Sequence, residues 1–314
     1  MKKCAPILVS VILAAGCNRN IQPVADASTA STSGHRQTEW RIPSTESFII
    51  QSAVAKRDFE ITVAVPRGYS ESSGKYPVLY VLDANWVFPI AVETARLLAI
   101  GPKEHPTGDL NEQPVIVGIG YPVGLYWTAI TPRLKDLSPT PDPEVVRQIG
   151  RNVGFSVETS GSGGAATFLE FLAKEMLPTV EGRYRLDDRR RALFGHSLGG
   201  LFATYVLFHQ PELFDSYLLT SPALDWDHEV RWKFEQEFAA AHKDLPARVF
   251  LTGGSLDEQY TAMAKKLDDV FRSRKYGRLV WHYEVFPGET HASVGGVSLS
   301  HGIRWLYGDL APKS

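Results

Sequence analysis

Residues 190–210 read R-R-A-L-F-G-H-S-L-G-G-L-F-A-T-Y-V-L-F-H-Q, and this stretch decides the fold. Residues 191–195 are a short, mostly apolar run, the pattern of a buried strand. Residues 198–208 are apolar at helical spacing and free of proline. Between them Gly195-His196-Ser197-Leu198-Gly199 forms a G-x-S-x-G pentapeptide in the strand–turn–helix setting that a raised serine needs. Such a turn puts Ser197 at positive φ, and Gly195 and Gly199 leave room where strand and helix nearly touch. The hydroxyl is pushed clear of the sheet. The backbone N–H of Leu198, at the helix N-terminus, then faces any oxyanion that forms there. Glycine and serine are common, so the pentapeptide alone is a weak signal; the flanking strand and helix sharpen it.

Outward from this turn, the pattern alternates. Residues 48–54 and 58–65 read as an opening hairpin, the second run alternating Phe59, Ile61, Val63, Val65. Residues 76–82 and 115–119 are dense apolar runs, as for strands buried on both faces. Residues 91–100 and 165–177 read as helices. The intervening stretch, 121–164, is rich in proline and glycine and is expected to be irregular for about 40 residues, a length that usually lines a site. Beyond the elbow come a strand at 217–220, a helix at 228–241, a strand at 247–251, a helix at 258–272, a strand at 279–286 and a helix at 294–306. Strand and helix alternate throughout. This predicts an α/β fold with a mostly parallel central sheet and helices on both faces, its site at the carboxyl ends of the strands.

The N-terminus has a different character. Lys2 and Lys3 precede a short apolar stretch that ends in Leu13-Ala14-Ala15-Gly16-Cys17. The stretch is too short for a stable membrane span. Its end resembles a bacterial lipobox, which implies cleavage before Cys17 and lipid on its thiol; an ordinary signal peptide is the plainer alternative. Asn18, rather than Asp, suggests outer-membrane sorting with the domain facing the periplasm. Residues 1–16 are thus expected to be a lipoprotein signal peptide, 17–40 the lipidated cysteine and a flexible tether, and 41–314 one α/β domain. No cysteine follows Cys17, so the mature domain holds neither a disulfide nor a thiol nucleophile. A formal net charge of -2 with interspersed signs argues against a nucleic-acid partner.

A serine nucleophile needs a base, and the base an orienting acid, in the chain order serine, acid, histidine. Of nine histidines, His291 alone combines that order with a loop position after the last strand. His196, inside the elbow, is expected to point away from Ser197. The acid should follow the preceding strand, where Asp257 and Glu258 compete; Asp257 lies nearer the strand end, while Glu258 would suit a helix first turn. A second oxyanion donor is expected from the loop Asp83-Ala84-Asn85-Trp86, with Asn85 chosen and Asp83 as a brace. No metal-ligand cluster or phosphate loop stands out, so no metal and no cofactor are expected.

The residues 80–86 (Y-V-L-D-A-N-W), 118–122 (G-I-G-Y-P), 133–139 (R-L-K-D-L-S-P), 195–200, Ser221-Pro222 and 286–291 together resemble the esterase D-like family of alpha/beta hydrolases, nearest the branch of siderophore esterases. The resemblance spans residues 45–307. It implies a serine esterase, with Ser197 on the family serine, His291 on the family histidine, Asp257 where many members carry Glu or Asp, and Asn85 in the oxyanion loop. It also implies a small-molecule ester, such as a catecholate lactone, as partner. An acyltransferase or thioesterase would use the same residues, and an inactive lipid-anchored binding protein is the reading of another class. Trp86, Tyr121, Tyr126, Arg133 and Trp226 are the expected substrate-binding groups, with Arg133 and Asp136 pairing as the alternative role for that arginine.

Overall fold

The computed structural model describes residues 41–100, 110–123, 126–154 and 161–308. The proposed signal and tether, including Cys17 and Asn18, lie outside the described residues, as does the side chain of Tyr126. The strands are β1 (Thr45–Ser52), β2 (Arg57–Ala64), β3 (Tyr76–Val81), β4 (Val115–Gly120), β5 (Leu186–His196), β6 (Ser216–Thr220), β7 (Arg248–Gly254) and β8 (Val280–Phe286). They form one sheet in the order β1-β2-β4-β3-β5-β6-β7-β8. The β1–β2 and β2–β4 pairs are antiparallel and the rest parallel. The sheet is mostly parallel, as expected, and the fold is that of an alpha/beta hydrolase. The order reverses direction between β3 and β5, which opens a crevice at their carboxyl ends.

The helices are α1 (Ala84–Ile100), α2 (Ile130–Leu137), α3 (Pro143–Val153), α4 (Ala165–Phe171), α5 (Leu177–Arg183), α6 (Leu198–His209), α7 (Trp226–Glu229), α8 (Arg231–Ala241), α9 (Glu258–Arg274) and α10 (Val294–Tyr307). Side chains on a strand alternate between faces, and the sheet sorts them into two cores. Val78, Tyr80, Leu193, Tyr217, Leu219, Val249 and Leu251 pack with Phe168, Phe202 and Phe271 on one face. Leu79, Val81, Phe194, Leu218 and Phe250 pack with Phe88, Val92, Ile303 and Leu306 of α1 and α10 on the other.

Two expectations about local structure are corrected. Helix α1 begins at Ala84, directly after β3, and carries Pro89 inside it. Proline reads as a breaker, and tertiary packing of Phe88 and Ala91 overrides it here. The described residues of 121–164 are also not irregular throughout, since they include α2 and α3. Asp142 caps α3 by accepting from the Val145 N–H at 3.1 Å, Pro143 opens the helix, and Gly154 closes it at φ 78. Both flanks of α3 are pinned. The Asp142 N–H donates to Ser162 Oγ, the Gly163 N–H to Ser138 Oγ and the Gly164 N–H to the Lys135 carbonyl.

Candidate active site

At the end of β5 the chain turns sharply, and Ser197 has φ 59 and ψ -117. This strained backbone is held by hydrogen bonds on both sides: the Ser197 N–H donates to the Thr220 carbonyl, and the Ser197 carbonyl accepts from Leu201 and Ala223. The two glycines are needed for space. A Cβ on Gly195 would lie 2.1 Å from the Gly199 carbonyl oxygen, and one on Gly200 would lie 2.8 Å from Pro222. Strand and helix therefore touch backbone to backbone, and the serine hydroxyl projects at the sheet's carboxyl edge.

Two further loops converge on that hydroxyl. The loop after β8 carries His291, and the loop after β7 carries Asp257. They are zipped together: Leu256 N–H donates to the Glu289 carbonyl at 2.9 Å and Gly288 N–H to Ser255 Oγ at 2.8 Å. Gly288, at φ 77, makes the turn that a side chain would strain. His291 Nε2 lies 3.0 Å from Ser197 Oγ, and His291 Nδ1 lies 2.8 Å from Asp257 Oδ2. With Nδ1–H donated to the carboxylate, Nε2 is left as an acceptor for the serine O–H. Asp257 is also the N-cap residue of α9, but its side chain makes no capping bond. It is 7% exposed, and its carboxylate is directed at the imidazole rather than at the helix. Glu258 lies in the exposed first turn of α9, as the alternative for it anticipated.

The imidazole has other neighbours. The ring of Tyr260 lies 4.2 Å from that of His291, and the ring of His196 lies 4.8 Å from it. The His196 ring therefore lies against the base rather than clear of the site. Burial foremost, and then the closeness of His291 and of the Arg133 guanidinium, lowers the His196 pKa to about 3.

The N-termini of α1 and α6 lie side by side, a Cβ on Gly199 falling 3.2 Å from Asp83 Oδ2. Trp86 and Val87 both donate to the Asp83 carbonyl, leaving Ala84 and Asn85 as the outermost N–H donors of α1. The Asn85 side chain bridges to the end of β4, accepting from the Tyr121 N–H and donating to the Tyr121 carbonyl, each at 2.9 Å. This fixes the first turn of α1 beside Leu198. The N-termini of α1 and α6 thus meet near a serine hydroxyl that is hydrogen-bonded to an imidazole.

The expected rim residues separate into different roles. Tyr121 is only 5% exposed, and its hydroxyl donates to Asp136 at 3.0 Å. Asp136 in turn pairs with Arg57 on β2. Trp226 is 3% exposed and its indole N–H donates to the Thr140 carbonyl, tying α7 to the segment before α3. Tyr121 and Trp226 are therefore buried braces. Arg133 does not pair with Asp136: its Nε donates to Asp83 Oδ1 at 2.7 Å and its guanidinium lies 5.4 Å from the centre of the Trp86 ring. The terminal nitrogens of Arg133 have no hydrogen-bond partner among the described residues. Tyr260 was missed by sequence reasoning, although its place three residues after Asp257 on a helix predicts that the two sit over the same loop.

The fold and this arrangement define a serine hydrolase of the alpha/beta type. A family profile described as "Putative esterase" matches residues 141–297, and the chain belongs to that family. It is 31% identical to the ferri-bacillibactin esterase of Bacillus subtilis over 292 residues, 89% of this chain and 95% of that one. It is 27% identical to a siderophore triacetylfusarinine C esterase of Aspergillus fumigatus, over 88% of this chain and 97% of that one. Among solved structures, the BES protein of Bacillus cereus superposes with a TM-score of 0.73 at 26% identity, over 87% of this chain and 98% of that one. The protein is thus an esterase of the serine-hydrolase type, related to the siderophore-esterase branch.

Proposed function

We propose that Ser197 is the nucleophile, His291 the general base and then acid, and Asp257 the group that orients it. The observation that carries this is the continuous hydrogen-bond chain from Asp257 through His291 to Ser197. Ser197 Oγ attacks the ester carbonyl as its proton passes to His291 Nε2. The tetrahedral oxyanion is met by the backbone N–H groups of Leu198 and Asn85. The oxyanion collapses, the C–O bond breaks, and His291 returns the proton to the leaving alcohol. Water then repeats the sequence on the acyl-enzyme and frees the acid.

The substrate in this reading is a siderophore or a similarly bulky ester. The printed names of the relatives support it. So do Arg133 and Trp86, a cation and an aromatic face beside the oxyanion donors, which suit an electron-rich or anionic ester. The domain in this reading is held at the outer membrane by lipid on Cys17 after removal of residues 1–16, with 17–40 as tether, and faces the periplasm; the support is the lipobox-like Leu13–Cys17 run and Asn18. Replacement of Cys17 by serine should release the protein from the membrane fraction or block its processing; unchanged fractionation refutes the anchor.

The substrate is tested by comparing kcat/KM on catecholate lactones, feruloyl esters, acyl thioesters and short aliphatic esters. Catecholate lactones should lead. A preference for aliphatic esters or thioesters by more than about 100-fold, or ~2.7 kcal/mol in transition-state binding, refutes the siderophore reading.

A further inference from the structure

The reaction asks the His291 ring to take a proton at Nε2 and deliver it to a different oxygen without turning. Hydrogen bonds to Asp257 at Nδ1 and to Ser197 at Nε2 fix the two ends of the ring but leave it free to turn about the line between them. Two other rings bear on it. Tyr260 sits in the first turn of α9, its ring 4.2 Å from His291 and inclined by 31°. His196 is the last residue of β5, its ring 4.8 Å from His291 and inclined by 38°. Tyr260 and His196 show no ring contact with one another among the described residues, and they reach the imidazole from two different elements, α9 and β5. The Nε2 of His196 is buried without a hydrogen-bond partner.

We propose that His196 and Tyr260 are positioning residues for proton transfer: together they clamp the plane of the His291 imidazole. The chemistry of each ring suits this place. A neutral imidazole adds no positive charge beside a histidine that becomes imidazolium. A phenol ring offers its electron-rich face to that same imidazolium. Both are mounted on rigid elements, His196 on the strand that carries Ser197 and Tyr260 on the helix that begins at Asp257. The clamp therefore moves with the two groups between which the proton travels.

This inference rests on the proposed role of His291, and its test has a readout that does not require turnover. Tyr260→Leu removes the flat face while keeping an apolar helix former. It should lower kcat by about 10–100-fold with KM changed less than about 3-fold, the signature of a misaligned reacting group. Tyr260→Phe should recover most of that loss, because the ring and not the hydroxyl is required. His196→Asn keeps an N–H donor but loses the ring; it should also lower kcat, and the double variant should lose less than the product of the two single effects. In parallel, the His291 Nδ1–H resonance is followed by proton NMR in a Ser197→Ala background. Its solvent exchange should quicken about 10-fold or more with Tyr260→Leu and with His196→Asn. Wild-type kcat and unchanged exchange in both folded variants overturn the clamp, as does a loss confined to KM. If the wild type hydrolyses no ester, the reading of the site fails, while the exchange rates still decide whether the rings hold His291.

Discussion

Gly195 is the position where a single added carbon should do the most damage to the elbow. Its Cβ would sit 2.1 Å from the Gly199 oxygen, 2.3 Å from the Gly199 carbonyl carbon and 2.7 Å from the Gly200 nitrogen, all backbone. To reach the 3.0 Å that real Cβ contacts respect, β5 and the start of α6 must part by about 1 Å. Neither side can yield easily. A Cβ on Gly200 would already be 2.8 Å from Pro222, so α6 is wedged, and β5 is paired to β3 and β6. Overpacking typically costs ~1–3 kcal/mol, and this rigid case belongs at or above the upper end. For a domain of this size about 3 kcal/mol corresponds to a fall in Tm of roughly 6–12 °C. The same displacement carries Ser197 and the Leu198 N–H away from His291, so esterase activity should fall by about 100-fold even well below Tm. Gly182, exposed near the end of α5 with no atom within 4 Å of its notional Cβ, is the control of opposite sign. Gly182→Ala should stabilise by about 0.5 kcal/mol, because helical glycine is entropically unfavourable. Calorimetry of both variants checks the pair. A Gly195→Ala protein with unchanged Tm and activity refutes the claim that strand and helix touch at the elbow.

Two further outcomes concern the groups around His291. Asp257→Asn should lower kcat/KM by about 10³–10⁴-fold by favouring the wrong imidazole tautomer, while Glu258→Gln should cost less than about 3-fold; equal small losses in steady-state assays would reduce the site to a serine–histidine pair. His196, with its pKa lowered by burial to about 3 from 6.5, should make the fold acid-sensitive. The unfolded state binds that proton first, so stability is fully present above about pH 6.5 and falls by roughly 1.4 kcal/mol per pH unit as the pH drops toward 3. Urea unfolding at about pH 7 and about pH 5 should show a shallower loss in His196→Asn, by ~2 kcal/mol over that interval; parallel losses would show that His196 titrates normally in the fold.

Much of the fold was legible because its signals are local. The run 191–195 and the apolar stretch 198–208 mark β5 and α6, and the dense runs at 76–82 and 115–119 mark strands buried on both faces. His291 and Asp257 were legible from chain order and loop position alone, and the structure brings them within hydrogen-bond reach of one another and of Ser197. The cap Asp142-Pro143-Glu144 was equally legible as a helix start, but the surrounding prolines and glycines obscured it. The braces were not legible. Tyr121 and Trp226 read as rim aromatics because they lie past strand ends, yet their polar tips find Asp136 and the Thr140 carbonyl, partners that only the folded chain brings near. Arg133 likewise finds Asp83 across the sheet crevice rather than Asp136 on its own helix, where the i,i+3 spacing invited a local pair. The ring contact of His196 with His291 joins residues far apart in the chain, which a residue pattern does not encode.

The central claim is that Ser197 is the activated nucleophile of an esterase. Its most direct test is intact-mass and peptide analysis of the folded domain after exposure to a fluorophosphonate. One phosphonyl adduct should form, map to Ser197, and disappear in Ser197→Ala. No adduct on the folded wild-type protein, or an adduct that persists in Ser197→Ala, would contradict the account.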